Sequence, residues 1–263
     1  MKKILLHNGN NNVVKAINKF LAKNLDINQT QILFNSWHNQ LFEVYQKYQP
    51  DTIFWPSSEY SQELHDFITE YGFGSNVNIF LIVDVPVPQD QLNDFINQRD
   101  NIKIIKDSTI QTHYKNTIAE YSRLYDHEIF FDRQLSRNNK IIAILSPDND
   151  RNHQLLDSVI YPNNYPVVVV NNPKFESVVN LGLINYNDLA FIMNTYSKII
   201  DIDNIFALEA TACNIDVIDI SDNNIAQAID QNKCMSRAPD YRSHTYEIFV
   251  KEKIIPHIGI NLT

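Results

Sequence analysis

The chain has 263 residues, a mass of 30.6 kDa and a formal net charge of −9, with 44% hydrophobic and 20% charged residues. That length holds one large core or two medium ones, at roughly 100–200 residues per domain. The acidic balance excludes a generic nucleic-acid or anionic-membrane surface, both of which need basic patches, and two cysteines, Cys213 and Cys234, make no disulfide framework.

Strand-like and helix-like runs alternate from the start. Lys3–His7 reads as a buried strand, too short in its apolar run for a signal peptide. Val13, Val14, Ile17, Phe20 and Leu21 share one face of a helix. Strands follow at Gln31–Phe34 and Thr52–Trp55, with a helix over Leu41–Tyr48 between them that ends before Pro50. A Ser-capped helix is expected over Ser61–Tyr71, with Glu63 in its first turn. Asn78–Asp84 is the clearest strand, and Gln89–Gln98 reads as helical. Shorter strands are expected at Ile102–Ile105 and Glu128–Phe131. After the polar stretch Asp132–Asn139 the alternation restarts with a strand at Lys140–Leu145, a helix over about Asp150–Val159 and a strand at Pro166–Val170. Then come a strand near Val178, a helix over Asn187–Asn194, a strand at Lys198–Asp201, a helix at Ile205–Cys213 and a strand at Asp216–Ile220. The tail, Tyr241–Ile255, reads as a helix with apolar Tyr246, Phe249, Val250 and Ile254. Repeated β-then-α order signals parallel sheets covered on both faces. No window reaches the roughly 18 apolar residues of a membrane span.

Glu209 is a lone carboxylate in an apolar helix that starts just past a strand end. Ligands of open α/β sheets collect at that edge, and a helix N-terminus there offers N–H groups to a phosphate. An acid one turn in can take ribose hydroxyls, so the segment suggests a sugar-nucleotide site. His7, Asp84, Trp37-His38 and Ser57-Ser58-Glu59 all end or follow strands of the first half, at its sheet edge. The histidines show no metal-ligand spacing, and there is no CxxC, HExxH or Gly-x-Ser-x-Gly pattern.

The stretch from Val178 to Ile220 resembles the second domain of GT-B glycosyltransferases. Leu181-Gly182 matches the family's strand-ending Phe/Leu-Gly pair. Leu208-Glu209-Ala210-Thr211-Ala212-Cys213-Asn214-Ile215-Asp216-Val217-Ile218 matches its Leu-Glu-Ala-x-Ala-Cys-Gly-x-Pro-Val-Ile signature, with Asn214 and Asp216 in place of Gly and Pro. The resemblance implies an α/β fold of two Rossmann-like doubly wound parallel-sheet domains facing a cleft. These are an acceptor-side domain over residues 1–135, a nucleotide-sugar domain over 136–240, and a C-terminal helix and tail over 241–263 that crosses back to pack on the first domain.

It implies a cytoplasmic glycosyltransferase that moves a sugar from a nucleoside diphosphate such as UDP to a glycan, lipid or protein acceptor, without metal or other cofactor. Glu209 would hold the ribose. Ile205, Phe206 and Ala207 at the helix start, with Gly182 and Arg151, would face the diphosphate, and Asp201, eight positions before Glu209, matches the second acid of retaining members. His7 and Asp84 are the candidate catalytic bases of an inverting reaction. Two other readings stay open: a catalytically silent GT-B-like binding or assembly subunit, and a nucleotide-sugar epimerase of similar fold.

Overall fold

Apolar runs too continuous for a half-solvated sheet build the first layer. In the computed structural model, Lys2–His7 (β1), Thr30–Asn35 (β2), Thr52–Pro56 (β3), Asn78–Val83 (β4), Ile102–Asp107 (β5) and Thr117–Tyr121 (β6) form one sheet. Its order is β2-β1-β3-β4-β5-β6, with every neighbouring pair parallel. The structure describes residues 1–7, 11–26, 29–35, 41–57, 76–85, 99–144, 167–170, 179–180, 185–201, 206–218, 225–231, 234–235, 240–260 and 262. The expected helices over 61–71, 89–98 and 150–159 lie outside them.

Successive residues of a strand point to opposite faces, and the core divides accordingly. Leu5, Ile53, Trp55, Ile79, Leu81 and Val83 pack on one face, with Val44, Tyr45 and Tyr48 of the helix Leu41–Tyr48 (α2) against them. Ile4, Leu6, Phe54, Phe80 and Ile82 pack on the other. That second face is covered by the helix Asn12–Asn24 (α1), whose buried residues are the five that periodicity selects. It is also covered by the chain's tail, through Phe249, Val250, Ile254, Ile255 and Ile258.

Two compact units result. The first joins Met1–Leu124 to Tyr246–Thr263, and the second is Tyr125–Thr245. The C-terminal helix therefore packs back on the first sheet. It is not one regular helix from Tyr241: a 3-10 turn over Tyr241–His244 comes first, then Tyr246–Phe249 (α3), a π segment over Val250–Ile254, and Ile255–Ile258 (α4). Gly259 ends it at φ 64°, the left-handed conformation glycine adopts freely. The terminal carbonyls accept from Lys2 Nζ, to Ile258 and Gly259, and from Lys103 Nζ, to His257 at 3.3 Å. Lysines suit the negative end of a helix.

The second unit holds Asn138–Ile144 (β7), Val167–Val170 (β8), Val179–Asn180 (β9), Tyr196–Asp201 (β10) and Asp216–Val217 (β11). Their order is β11-β10-β7-β8-β9, again all parallel. Helices Tyr186–Thr195 (α5), Ala207–Ala212 (α6) and Ile225–Asp230 (α7) accompany them, and all three precede the tail in the chain. Leu189, Ala190, Met193, Ile199, Leu208, Ala210, Cys213, Ile215 and Val217 share a core with Tyr125 and Phe130.

The stretch Glu128–Phe131 is a turn, not the expected strand. Asp126 accepts from the Glu128 N–H through its side chain and from the Ile129 and Phe130 N–H groups through its carbonyl. Phe130 is then buried edge-on to Tyr186 rather than in a sheet. The sixth strand of the first sheet is instead Thr117–Tyr121, short and half-polar, which periodicity did not pick out.

Candidate functional site

Each sheet has a point where its strand order reverses, and ligands of such folds bind outside the carboxyl ends of the strands there. In the first sheet the reversal lies between β1 and β3, and in the second between β7 and β10.

At the first sheet, His7 ends β1 with 0% exposure and stacks on Trp55 of β3, ring centroids 3.8 Å apart. Asp84 follows β4 and is half-buried. Its Oδ2 accepts from Asn11 Nδ2, and its Oδ1 accepts from the hydroxyl of buried Ser57 at 2.9 Å. Asn11 is also the N-cap of α1, accepting through Oδ1 from the Val13 and Val14 N–H groups at 2.9 and 3.1 Å. Tyr121, at the end of β6, has its phenol pushed above the ordinary tyrosine range by burial first, and then by the carboxylates of Asp107 and Asp84. Asn11 went unselected in the sequence, although an Asn directly before an apolar-periodic helix is a cap signal that marks it. Trp37, His38, Ser58 and Glu59 lie outside the described residues.

At the second sheet, Asp201 ends β10 and its backbone pairs with Ile144 of β7 across the reversal. Phe206 is the N-cap of α6 and contributes no side-chain oxygen; its carbonyl accepts from the Ala210 N–H at 2.8 Å. Ala207 opens the helix and Glu209 lies in its first turn, between buried Leu208 and Ala210. The first N–H groups of a helix have no intrahelical acceptor, and Glu209 sets a carboxylate in that turn. Gly182, Ile205 and Arg151 lie outside the described residues.

The far end of α6 is fastened tightly. The Ile215 N–H reaches the Ala210 carbonyl and the Asn214 N–H reaches that of Thr211, the paired bonds of a Schellman motif. Asn214 sits at φ 58°, the left-handed region where glycine is usual. Asparagine is the residue that tolerates it next best, which explains how this chain does without the signature's glycine. Arg137 donates to the Cys213 and Asn214 carbonyls and lies 3.6 Å from Asp132.

Tyr125, near Glu209, escaped sequence reading because it sits in a connecting segment. Tyr125 has its phenol pushed up to about 12, by burial first, then by Tyr241, with Glu209 adding and Arg242 opposing. The Tyr125 and Tyr241 rings are 6.3 Å apart. Burial likewise pushes the Cys213 thiol up to about 12, against a hydrogen bond from Asn194 that lowers it. Among the described residues, no three His, Cys, Asp or Glu side chains gather as a metal site, and no helix is long and apolar enough to cross a membrane.

No family model and no curated protein sequence matches the chain. Among solved structures it is similar to S. aureus MnaA with UDP, at 13% identity and a TM-score of 0.52, over 98% of this chain and 96% of that one. It is also similar to Anabaena HepE in complex with UDP, at 12% identity and a TM-score of 0.55, over 98% and 97%. Likeness over nearly the full length of both chains establishes a GT-B-like fold.

Proposed function

We propose that this GT-B-like chain is a glycosyltransferase that takes a sugar from a nucleoside diphosphate, UDP first among the candidates, and passes it to a hydroxyl of a glycan, lipid or protein. The observation that carries this reading is the place of Glu209, in the first turn of a helix that begins just past β10 at the reversal of the second sheet. The UDP found with two proteins of the same fold supports the nucleotide. In this reading Glu209 accepts the ribose hydroxyls. Phe206, Ala207, Gly182, Ile205, Asp201 and Arg151 are the other donor-binding residues of this reading, and helix N–H groups meet the charge of the leaving diphosphate.

Asp84 is the favoured base. It is half-exposed at its sheet edge, whereas His7 is enclosed against Trp55, and a base must come within hydrogen-bond reach of the proton it takes. Because Asn214 already adopts the glycine conformation, its presence does not favour a silent subunit. The reading needs no cation, so turnover should persist in EDTA.

Calorimetric titration of UDP and GDP into the wild type and Glu209→Ala tests the donor site. A charge-assisted hydrogen bond is worth about 1.5–3 kcal/mol, so the variant should bind roughly ten- to a hundredfold more weakly. A wild type that binds neither nucleotide contradicts the proposal. Product analysis that finds the donor's sugar inverted at a ring carbon, rather than transferred, would point to an epimerase.

A further inference from the structure

We infer that Asn11 and Ser57 are positioning residues that aim the Asp84 carboxylate at the acceptor hydroxyl, an inference that rests on the proposed transfer reaction. Both lie at the carboxyl edge of the first sheet, beside its reversal between β1 and β3. Each fixes a different oxygen of Asp84 from a different element. Asn11 holds Oδ2 while its own Oδ1 is committed to the first N–H groups of α1. The amide donor thus cannot turn without breaking the helix cap. Val13, Val14 and Ile17 bury the adjoining face of that helix, which keeps the cap in place.

Ser57 acts on both the side chain and the backbone of Asp84. Its hydroxyl reaches Oδ1 at 2.9 Å and accepts from the Asp84 and Val85 N–H groups, each at 3.2 Å. The Val85 carbonyl, 3.0 Å away, is an alternative acceptor for the same proton, but an ionised carboxylate is the stronger one. Ser57 is only 4% exposed, so water does not compete easily for it. A carboxylate has about four lone-pair sites, and two donors at fixed angles set the direction in which it meets a hydroxyl.

In the transfer step Asp84 takes the proton of the acceptor hydroxyl as the acceptor oxygen bonds to the anomeric carbon. The bond from that carbon to the phosphate oxygen breaks, and its electron pair leaves with the nucleoside diphosphate. A misdirected base loses rate at this step, because an error of about 1 Å in a reacting group can cost on the order of a hundredfold. Donor binding does not involve Asp84 and should be spared.

The test is steady-state release of UDP from a panel of UDP-hexoses and UDP-N-acetylhexosamines, with and without monosaccharide acceptors. Asn11→Ser keeps a capping oxygen but has no amide donor, so it separates helix capping from aiming. It should keep the wild-type melting temperature and donor KM while kcat falls about tenfold to a hundredfold. Ser57→Ala should show a similar fall in kcat, and Ser57→Thr, which restores a hydroxyl, should recover most of it. If the wild type turns over and Asp84→Asn is impaired, yet Asn11→Ser and Ser57→Ala keep full kcat, the positioning role is overturned and the transferase reading stands. If the wild type releases no UDP from any donor, both fall.

Discussion

Asp84 is held through its side chain, by partners 73 and 27 residues away in sequence, whereas Glu209 sits on a short helix whose backbone bonds run from Phe206 to Ile215. The first arrangement needs the whole sheet assembled before Asn11 and Ser57 meet the carboxylate. The second is more local, and Arg137 supports it from a distance in sequence. Side-chain placement and backbone placement should therefore break under different substitutions, and each break should stay within its own unit.

The largest effect is expected from the tail that covers the first sheet. Phe249 is 6% exposed and meets Tyr121 edge-on at 5.7 Å. Phe249→Ala should cost about 3–5 kcal/mol, read by denaturant unfolding. Hydrogen exchange should quicken in β1, β4 and α1 before it does in α6. Equal loss in both units would show that the two carboxylates do not depend on separate supports.

A smaller effect sharpens the backbone side. Asn214→Ala places an ordinary residue in the left-handed region, at a cost of roughly 1–2 kcal/mol, and it also removes the bond from Asn214 Nδ2 to Asp132. Asn214→Gly relieves the backbone while losing the same bond, so it should fall within about 0.5 kcal/mol of wild type. If both substitutions cost the same, the side-chain bond matters and the left-handed backbone does not.

The finest distinction is in alkaline pH. Cys213 rises from 9.0 to about 12 and Tyr125 from 10.0 to about 12 on folding. The folded second unit thus favours their protonated forms. That stability is complete below about pH 9 and is lost as pH climbs toward 12. Tyr121 gives the first unit a loss of the same sign above pH 10. Melting temperatures across pH 8–12 should fall, and Tyr125→Phe should flatten the fall. An unchanged slope in that variant would remove Tyr125 from the account.

The same contrast explains what the sequence disclosed. Continuous apolar runs such as Ile79–Val83 and the helical face Val13, Val14, Ile17, Phe20 and Leu21 are local patterns, and all of those residues are buried. The helix around Glu209 was legible for the same reason. The Asn11–Asp84–Ser57 group was legible only in part: Asp84 and Ser57 each followed a strand, but nothing local joins them to Asn11. Glu128–Phe131 misled because a short apolar run does not say whether a sheet or a turn will bury it. Thr117–Tyr121 escaped because its place at the sheet's edge is set by pairing with β5 rather than by its own composition.

The most direct measurement is a crystal structure of the chain with UDP. The ribose hydroxyls should lie within about 3 Å of the Glu209 carboxylate, with the diphosphate at the start of the helix Ala207–Ala212. UDP bound away from that helix, or a ribose that does not touch Glu209, would contradict the proposed donor site.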